Sequence, residues 1–190
     1  MLADFILIGI LIGFLFKGSF RNLAQVKFPY LWLIVVGFMV KFSDFVFPAS
    51  MAHWYSTLGM GIVFLGTVLS WKLAGMKVVS MGAFLNILVI ILNGGTMPVS
   101  VSMAEKLKLF DLIHQLKGSQ FFDYRVLSSS TRLPFFSDIL PYFSFLLFRP
   151  FVVSPGDYLL GFGLIIFIIF YMRRKTGEEN LPGDRESPKR

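Results

Sequence analysis

Five apolar runs, at residues 2–16, 28–47, 56–71, 78–92 and 158–171, divide this chain of 190 residues. Runs of this kind do not alternate a core face with a water face. They fold as helices covered by apolar surroundings on all sides, either protein or lipid. Composition decides between the two. With 55% hydrophobic residues, 15% charged residues and 23 phenylalanines, the chain carries more apolar surface than a soluble domain of this size normally buries. The sequence therefore predicts an all-α, polytopic helical membrane protein. About five transmembrane helices would form one integral membrane domain over 1–172, with a tail at 173–190. Several runs fall short of the ~20 residues that cross ~30 Å of hydrocarbon, so Lys17, Lys72 and Lys77 must snorkel or the bilayer must thin.

Charge sets the expected orientation. The net charge is +7, but the basic residues lie in short segments between apolar runs and form no stripe, so no nucleic-acid partner is expected. Lys17, Arg21 and Lys27 follow the first run, Lys72 and Lys77 follow the third, and Arg173, Arg174 and Lys175 follow the last. The positive-inside rule places these segments in the cytoplasm, which leaves the N-terminus extracytoplasmic and the C-terminus cytoplasmic in a multi-pass protein of the cell membrane. The first run carries Asp4 and lacks both a basic leader and a small-x-small cleavage site, so it is expected to stay as an anchor. The tail at 176–190 is rich in Gly, Pro and charge and is expected to be solvated and disordered.

Other chemistries are disfavoured. Cysteine is absent, and His53 and His114 stand alone without ligand spacing, so neither a metal nor a cofactor is expected. Lys41 and Asp44 share a helix face and are expected to neutralise one another, while Asn86 is expected to make an interhelical hydrogen bond. A transporter or channel would need more intramembrane charge and internal repeats.

The extracytoplasmic segment 93–157 holds the candidate site. It opens Asn93-Gly94-Gly95-Thr96-Met97-Pro98-Val99, where two glycines and a proline end the preceding helix and allow tight turns that leave amides free. Ser102 and Glu105 have the spacing of a capping box, with Gly118 as a stop. The spacing predicts an amphipathic helix over 103–117 resting on the outer membrane interface. Asp138 and Asp157 follow, nineteen residues apart, with an apolar stretch between them that is broken by Pro141 and Pro150. That stretch is too short to span and is expected as a re-entrant or interfacial excursion that brings its ends together. Two close carboxylates share one proton, so one can act as base on a water while the other protonates a leaving group. Arg125, Arg132 and Arg149 are available to balance that charge or to bind an anionic head group.

Four stretches together, Asn-Gly-Gly-x-Met-Pro-Val at 93–99, Thr-Arg-Leu at 131–133, Ser-Asp-Ile-Leu-Pro at 137–141 and Ser-x-Gly-Asp at 154–157, resemble an uncharacterised family of small bacterial multi-pass membrane proteins. The chain from the third run onward also resembles lipoprotein signal peptidase, an intramembrane aspartyl protease. That resemblance implies Asp138 and Asp157 as the catalytic pair, with Ser154 and Gly156 in the Asn and Ala positions of the motif before the last span. The Gly-Asn-x-x-Asp-Arg motif of that family is not intact, Asn93 and Asp123-Tyr124-Arg125 being partial echoes, and an extra span is present. Two functions follow as expectations. One is an aspartyl-type hydrolase acting on a lipid-linked or membrane-embedded substrate, with Asn93, Gly94, Gly95, Arg125, Arg132, Arg149 and Ser154 binding substrate or supporting the pair. The other is a non-catalytic scaffold or partner subunit, surrounded by membrane lipids, in which the aspartates pair with arginines.

Overall fold

Each of the five apolar runs contributes a helix. The computed structural model describes residues 1–43, 52–118 and 123–174. Along the chain these form α1 (Leu2–Leu15), α2 (Phe20–Ala24), α3 (Leu31–Lys41), α4 (Ala52–Leu69), α5 (Met76–Leu92), β1 (Met97–Val99), α6 (Val101–Lys106), α7 (Phe110–Lys117), β2 (Tyr124–Val126), β3 (Leu140–Ser144), β4 (Arg149–Val153) and α8 (Pro155–Arg173). The chain is mostly helical, and its four short strands correct the all-α expectation. By length and composition α8 is able to cross a membrane, while α1, α3 and α5 are shorter apolar helices. The tail at 176–190 and Asp44 lie outside the described residues.

The long helices pack as a row, with α3 on α4, α4 on α5, α5 on α8 and α8 on α1. Glycines bring the backbones together. A Cβ at Gly37 of α3 would sit 2.8 Å from the Gly59 carbonyl of α4, and one at Gly163 of α8 would sit 2.7 Å from the Val79 amide of α5. Gly9 of α1 meets Ile168 of α8 in the same way. Apolar helices whose surfaces offer no polar handle gain their attraction from such close van der Waals contact.

One end of the row collects the basic segments. The Ser19 amide and the Asn22 side chain both donate to the Met172 carbonyl, at 2.7 and 2.9 Å. Leu23, Val26 and Phe28 pack against Leu73, Met76 and Tyr171. The short α2 had no counterpart in the sequence reading; Ser19 caps it by accepting from the Arg21 amide.

At the opposite end the segment after α5 folds over the row. β1 is buried and pairs in parallel with β2, and on its other side it bridges to Asp138. Pro98 fits this middle position because its carbonyl accepts the Asp138 amide and no donor is required of it. The stretch between the two aspartates, expected as an excursion that brings its ends together, does so as a β-hairpin, β3 paired antiparallel with β4 with Leu140 opposite Val153. In a two-stranded ribbon both strands are edges, so Pro141 and Pro150 interrupt no required bond. Buried Asp4 at the start of α1 holds the hairpin turn, accepting from the Ser144 hydroxyl at 2.9 Å and the Leu146 amide at 3.0 Å.

The single capped helix over 103–117 is also corrected. Two short helices, α6 and α7, are separated by Lys108 in the left-handed region at φ 58°. The chain turns into helix directly after β1, so Ser100, extended at the strand end, is the residue free to cap. Its hydroxyl accepts the Met103 amide at 3.2 Å. Ser100→Ala is therefore expected to cost about 0.5–2 kcal/mol, and Ser102→Ala, already inside the helix, close to nothing. Chemical denaturation of both variants checks this; equal losses would restore Ser102 as the cap.

Candidate functional site

Four helices each turn one face toward a common cavity of about 380 Å³. On α3 that face is Leu31, Ile34, Phe38 and Lys41; on α4 it is Ser56, Met60, Val63 and Thr67. The spacing of three and four is that of a single helical stripe. On α5 the stripe runs from Met76 through Ala83 to Asn86 and Ile90, and on α8 from Asp157 through Leu160 and Leu164 to Phe167. Because neighbouring helices are antiparallel, Lys41, Ser56, Asn86 and Asp157 fall at one end. That end is closed by Gly95, Met97, Asp123, Tyr124 and Asp138 from the β1–β2 layer. The far end is apolar, with the Phe28 and Phe167 rings 5.8 Å apart.

Asp157 is held firmly. Ser154 caps α8 by accepting the Asp157 amide at 2.9 Å, and the Asp157 carboxylate accepts the Ser154 amide at 3.2 Å, which completes a capping box. Asn86 joins α5 to this turn. Its amide nitrogen donates to Asp157 Oδ1 at 2.9 Å, and its oxygen accepts from the buried Ser154 hydroxyl at 2.8 Å. The interhelical bond expected of Asn86 is thus made to the candidate acid itself.

Asp138 reaches the cavity from the other side. Its backbone is fixed on β1, donating to Pro98 and accepting from the Ser100 amide at 2.9 Å. Its carboxyl group is buried, and Oδ1 has no hydrogen-bond partner among the described residues. Burial, reinforced by the charge of Asp157, pushes its pKa well above the usual carboxylate value, against a smaller opposing pull from Lys41. Tyr124 lies beside the acids. Loss of hydration, together with Asp138, Asp157 and Asp123, holds its hydroxyl above the ordinary tyrosine range.

Across the cavity Lys41 pairs with Asp123 at 3.8 Å, and both engage the Ser56 hydroxyl, at 3.3 and 2.9 Å. The sequence pairing of Lys41 with Asp44 falls outside the described residues. Lys41 was legible as a charge within an apolar run, but nothing local marks Asp123 or Ser56 as its neighbours.

The other candidates are placed around the cavity. Buried Asn93 ends α5, donates to the Val89 and Arg132 carbonyls, and accepts the Arg132 amide at 3.0 Å, so it is a structural clamp. Gly94 and Gly95 take φ values of 73° and 83°, which makes the turn from α5 into β1 possible; Gly95 lines the cavity and Gly94 faces open space. The arginines are engaged elsewhere. Arg125 donates to the Asn93 carbonyl at 3.2 Å, Arg149 stacks on the Phe151 ring at 4.6 Å, and Arg132 is exposed. None of the three lines the cavity, where Lys41 is the cation among the described residues.

The family described as "Family of unknown function (DUF5317)" matches residues 4–169. The chain belongs to this family. The match to DUF5317 takes in both aspartates, the β1–β2 layer and most of α8. A relative from Thermotoga maritima, described as an uncharacterized protein, is 28% identical over 186 residues, covering 96% of this chain and 98% of the relative. No solved structure matches the chain.

Proposed function

We propose that this DUF5317 protein is a polytopic membrane hydrolase in which Asp138 and Asp157 act as one acid–base pair on a lipid-linked or membrane-embedded substrate. The observation that carries the reading is that both carboxyl groups line one cavity and that, among the described residues, no arginine pairs with either and one buried oxygen of Asp138 has no partner. A scaffold built on aspartate–arginine pairs would look different. In the proposed step, Asp157 takes a proton from water as its oxygen bonds to the substrate carbonyl carbon. The bond to the leaving oxygen or nitrogen breaks, and Asp138 supplies that atom with its proton. Asn86 and Ser154 keep Asp157 aimed. Parallel loss of turnover in Asp138→Asn and Asp157→Asn tests the pair; full activity in either variant removes it.

The membrane placement rests on the outward faces. Leu11, Trp32, Met39, Leu65, Met81 and Phe162, spread over all five long helices, are each about half exposed or more. Apolar surface of that extent on every helix favours lipid as the surrounding solvent. Lys17, Arg21, Lys27, Lys72, Lys77, Arg173 and Arg174 lie in the short segments at the end opposite the carboxylates. It is in short segments that basic residues set orientation, which supports a cytoplasmic end there and an extracytoplasmic site. With single cysteines in intact cells, Ser129→Cys is expected to react with an impermeant reagent and Gln25→Cys only after permeabilisation. The reverse pattern inverts the topology.

A further inference from the structure

The cavity has more to say about what enters it. Ten residues separate Asp157 from Phe167 on α8, and ten separate Leu31 from Lys41 on α3, so the lined length is ~15 Å at the rise of a helix. Over that length α3 and α8 both face the space, yet the helix row gives them no packed interface with one another, and the cavity lies between them. The gap between α3 and α8 thus lies between helices whose outer faces are apolar. At the polar end Asp123, Asp138 and Asp157 stand against one cation among the described residues, Lys41. Even with a proton shared by two of the acids, that end stays negative, and Lys41 is already paired with Asp123 at 3.8 Å.

We propose that the cavity takes an amphiphile whose single hydrocarbon chain lies along α3, α5 and α8 and whose reacting group is an uncharged carbonyl ester or amide, not a phosphate. An apolar slot ~15 Å long, bounded by two helices that do not pack on one another, suits a flexible chain arriving from the bilayer. A phosphate brought to the polar end would meet three carboxylates and, among the described residues, no free cation, and like charges in a desolvated site cost affinity steeply. The carbonyl assignment rests on the hydrolytic reading of Asp138 and Asp157. The chain assignment does not.

The test uses the full-length protein in lipid nanodiscs with a monoacylglycerol that carries a diazirine midway along its chain. Photo-adducts are expected on groove residues such as Ile34, Val63 and Leu164. Unlabelled monoacylglycerol should compete, and lysophosphatidic acid of the same chain length should compete roughly tenfold less well or worse. Asp123→Asn frees Lys41 and should narrow that gap. Ala83→Phe, placing a ring in the slot, should remove the groove adducts while the protein still unfolds cooperatively. Adducts confined to the outward residues Val35, Leu65 and Phe162 would identify ordinary bilayer lipid and overturn the chain placement. Equal competition by the phosphate lipid would overturn the uncharged head. Groove adducts that persist in a protein with no turnover of the ester would leave the chain site standing and remove the hydrolytic reading alone.

Discussion

Asp138→Asn and Asp157→Asn are each expected to lower hydrolysis of a neutral long-chain ester by about 10²–10⁴-fold, the range over which positioned acids and bases act. The double variant should be no slower than the worse single one, because the two groups serve one proton transfer. Folding should survive. An amide of the same shape fits at Asp138, and no arginine among the described residues is left stranded. At Asp157 the amide turns its NH2 toward the Asn86 or Ser154 donor, a mismatch expected to cost about 1–3 kcal/mol. The pH dependence of stability gives a second readout. The pKa of Asp138 is raised in the folded state, so the folded protein holds that proton more tightly than the unfolded chain. The associated stability is fully present below the ordinary carboxylate value of 3.8 and is lost as the pH rises through the raised value. Thermal unfolding of the parent protein in detergent should therefore fall in temperature as the pH rises above 3.8, and Asp138→Asn should flatten that slope. A loss of about 3–5 kcal/mol in both single variants would mean that an uncompensated buried charge had been created, and the pair would then be structural.

Gly156→Ala is expected to cost about 1–3 kcal/mol and most of the turnover as well. A methyl group there collides with the Asn86 carboxamide oxygen and lies 2.7 Å from the Gly82 carbonyl, where the backbones of α5 and α8 come close. Neither neighbour is a flexible chain end. The Gly82 carbonyl belongs to a helix backbone, and Asn86 is tied to Asp157 and to Ser154. Relief requires the helices to part or Asn86 to leave the acid, so stability and activity should fall together. Gly61→Ala provides the contrast. Its added carbon meets only Ile87 at 3.5 Å inside α4, and the gain in helix propensity should leave it neutral or stabilised by about 0.5–1 kcal/mol. Denaturation midpoints and ester turnover of the two variants separate these outcomes; an unperturbed Gly156→Ala would show that the α5–α8 contact is looser than described.

Much of the helical layout was written in local pattern. A run of apolar residues without alternation has few alternatives to helix, so the positions of α1, α3, α4, α5 and α8 followed from hydropathy, with ends displaced by a few residues at Gly75 and Ser154, where caps decide. The cap that holds Asp157 went unread, although Ser154-Pro155-Gly156-Asp157 has the spacing of a capping box. The hairpin between the aspartates was not foreseen: Pro141 and Pro150 stood only as interruptions of a span, and in an isolated two-stranded ribbon they leave the strand pairing intact. The cap of α6 was misplaced for a similar reason. Ser100 and Ser102 are equivalent in sequence, and only the pairing of β1 with its neighbours leaves Ser100 extended.

What hydropathy and charge determined alone was one-dimensional: where helices run, where they stop, and at which ends the basic residues lie. The site depended on contacts between residues far apart in sequence. Asn86 meets Asp157 across 71 positions, Ser56 meets Asp123 across 67, and Lys41 finds Asp123 from the β1–β2 layer. No local signal encodes such pairings, because each arises only when glycine-lined helices pack closely enough to bring one polar residue from each to the same end. The tertiary structure made a cavity of those scattered residues, and the cost of burying charge there sets the protonation of Asp138.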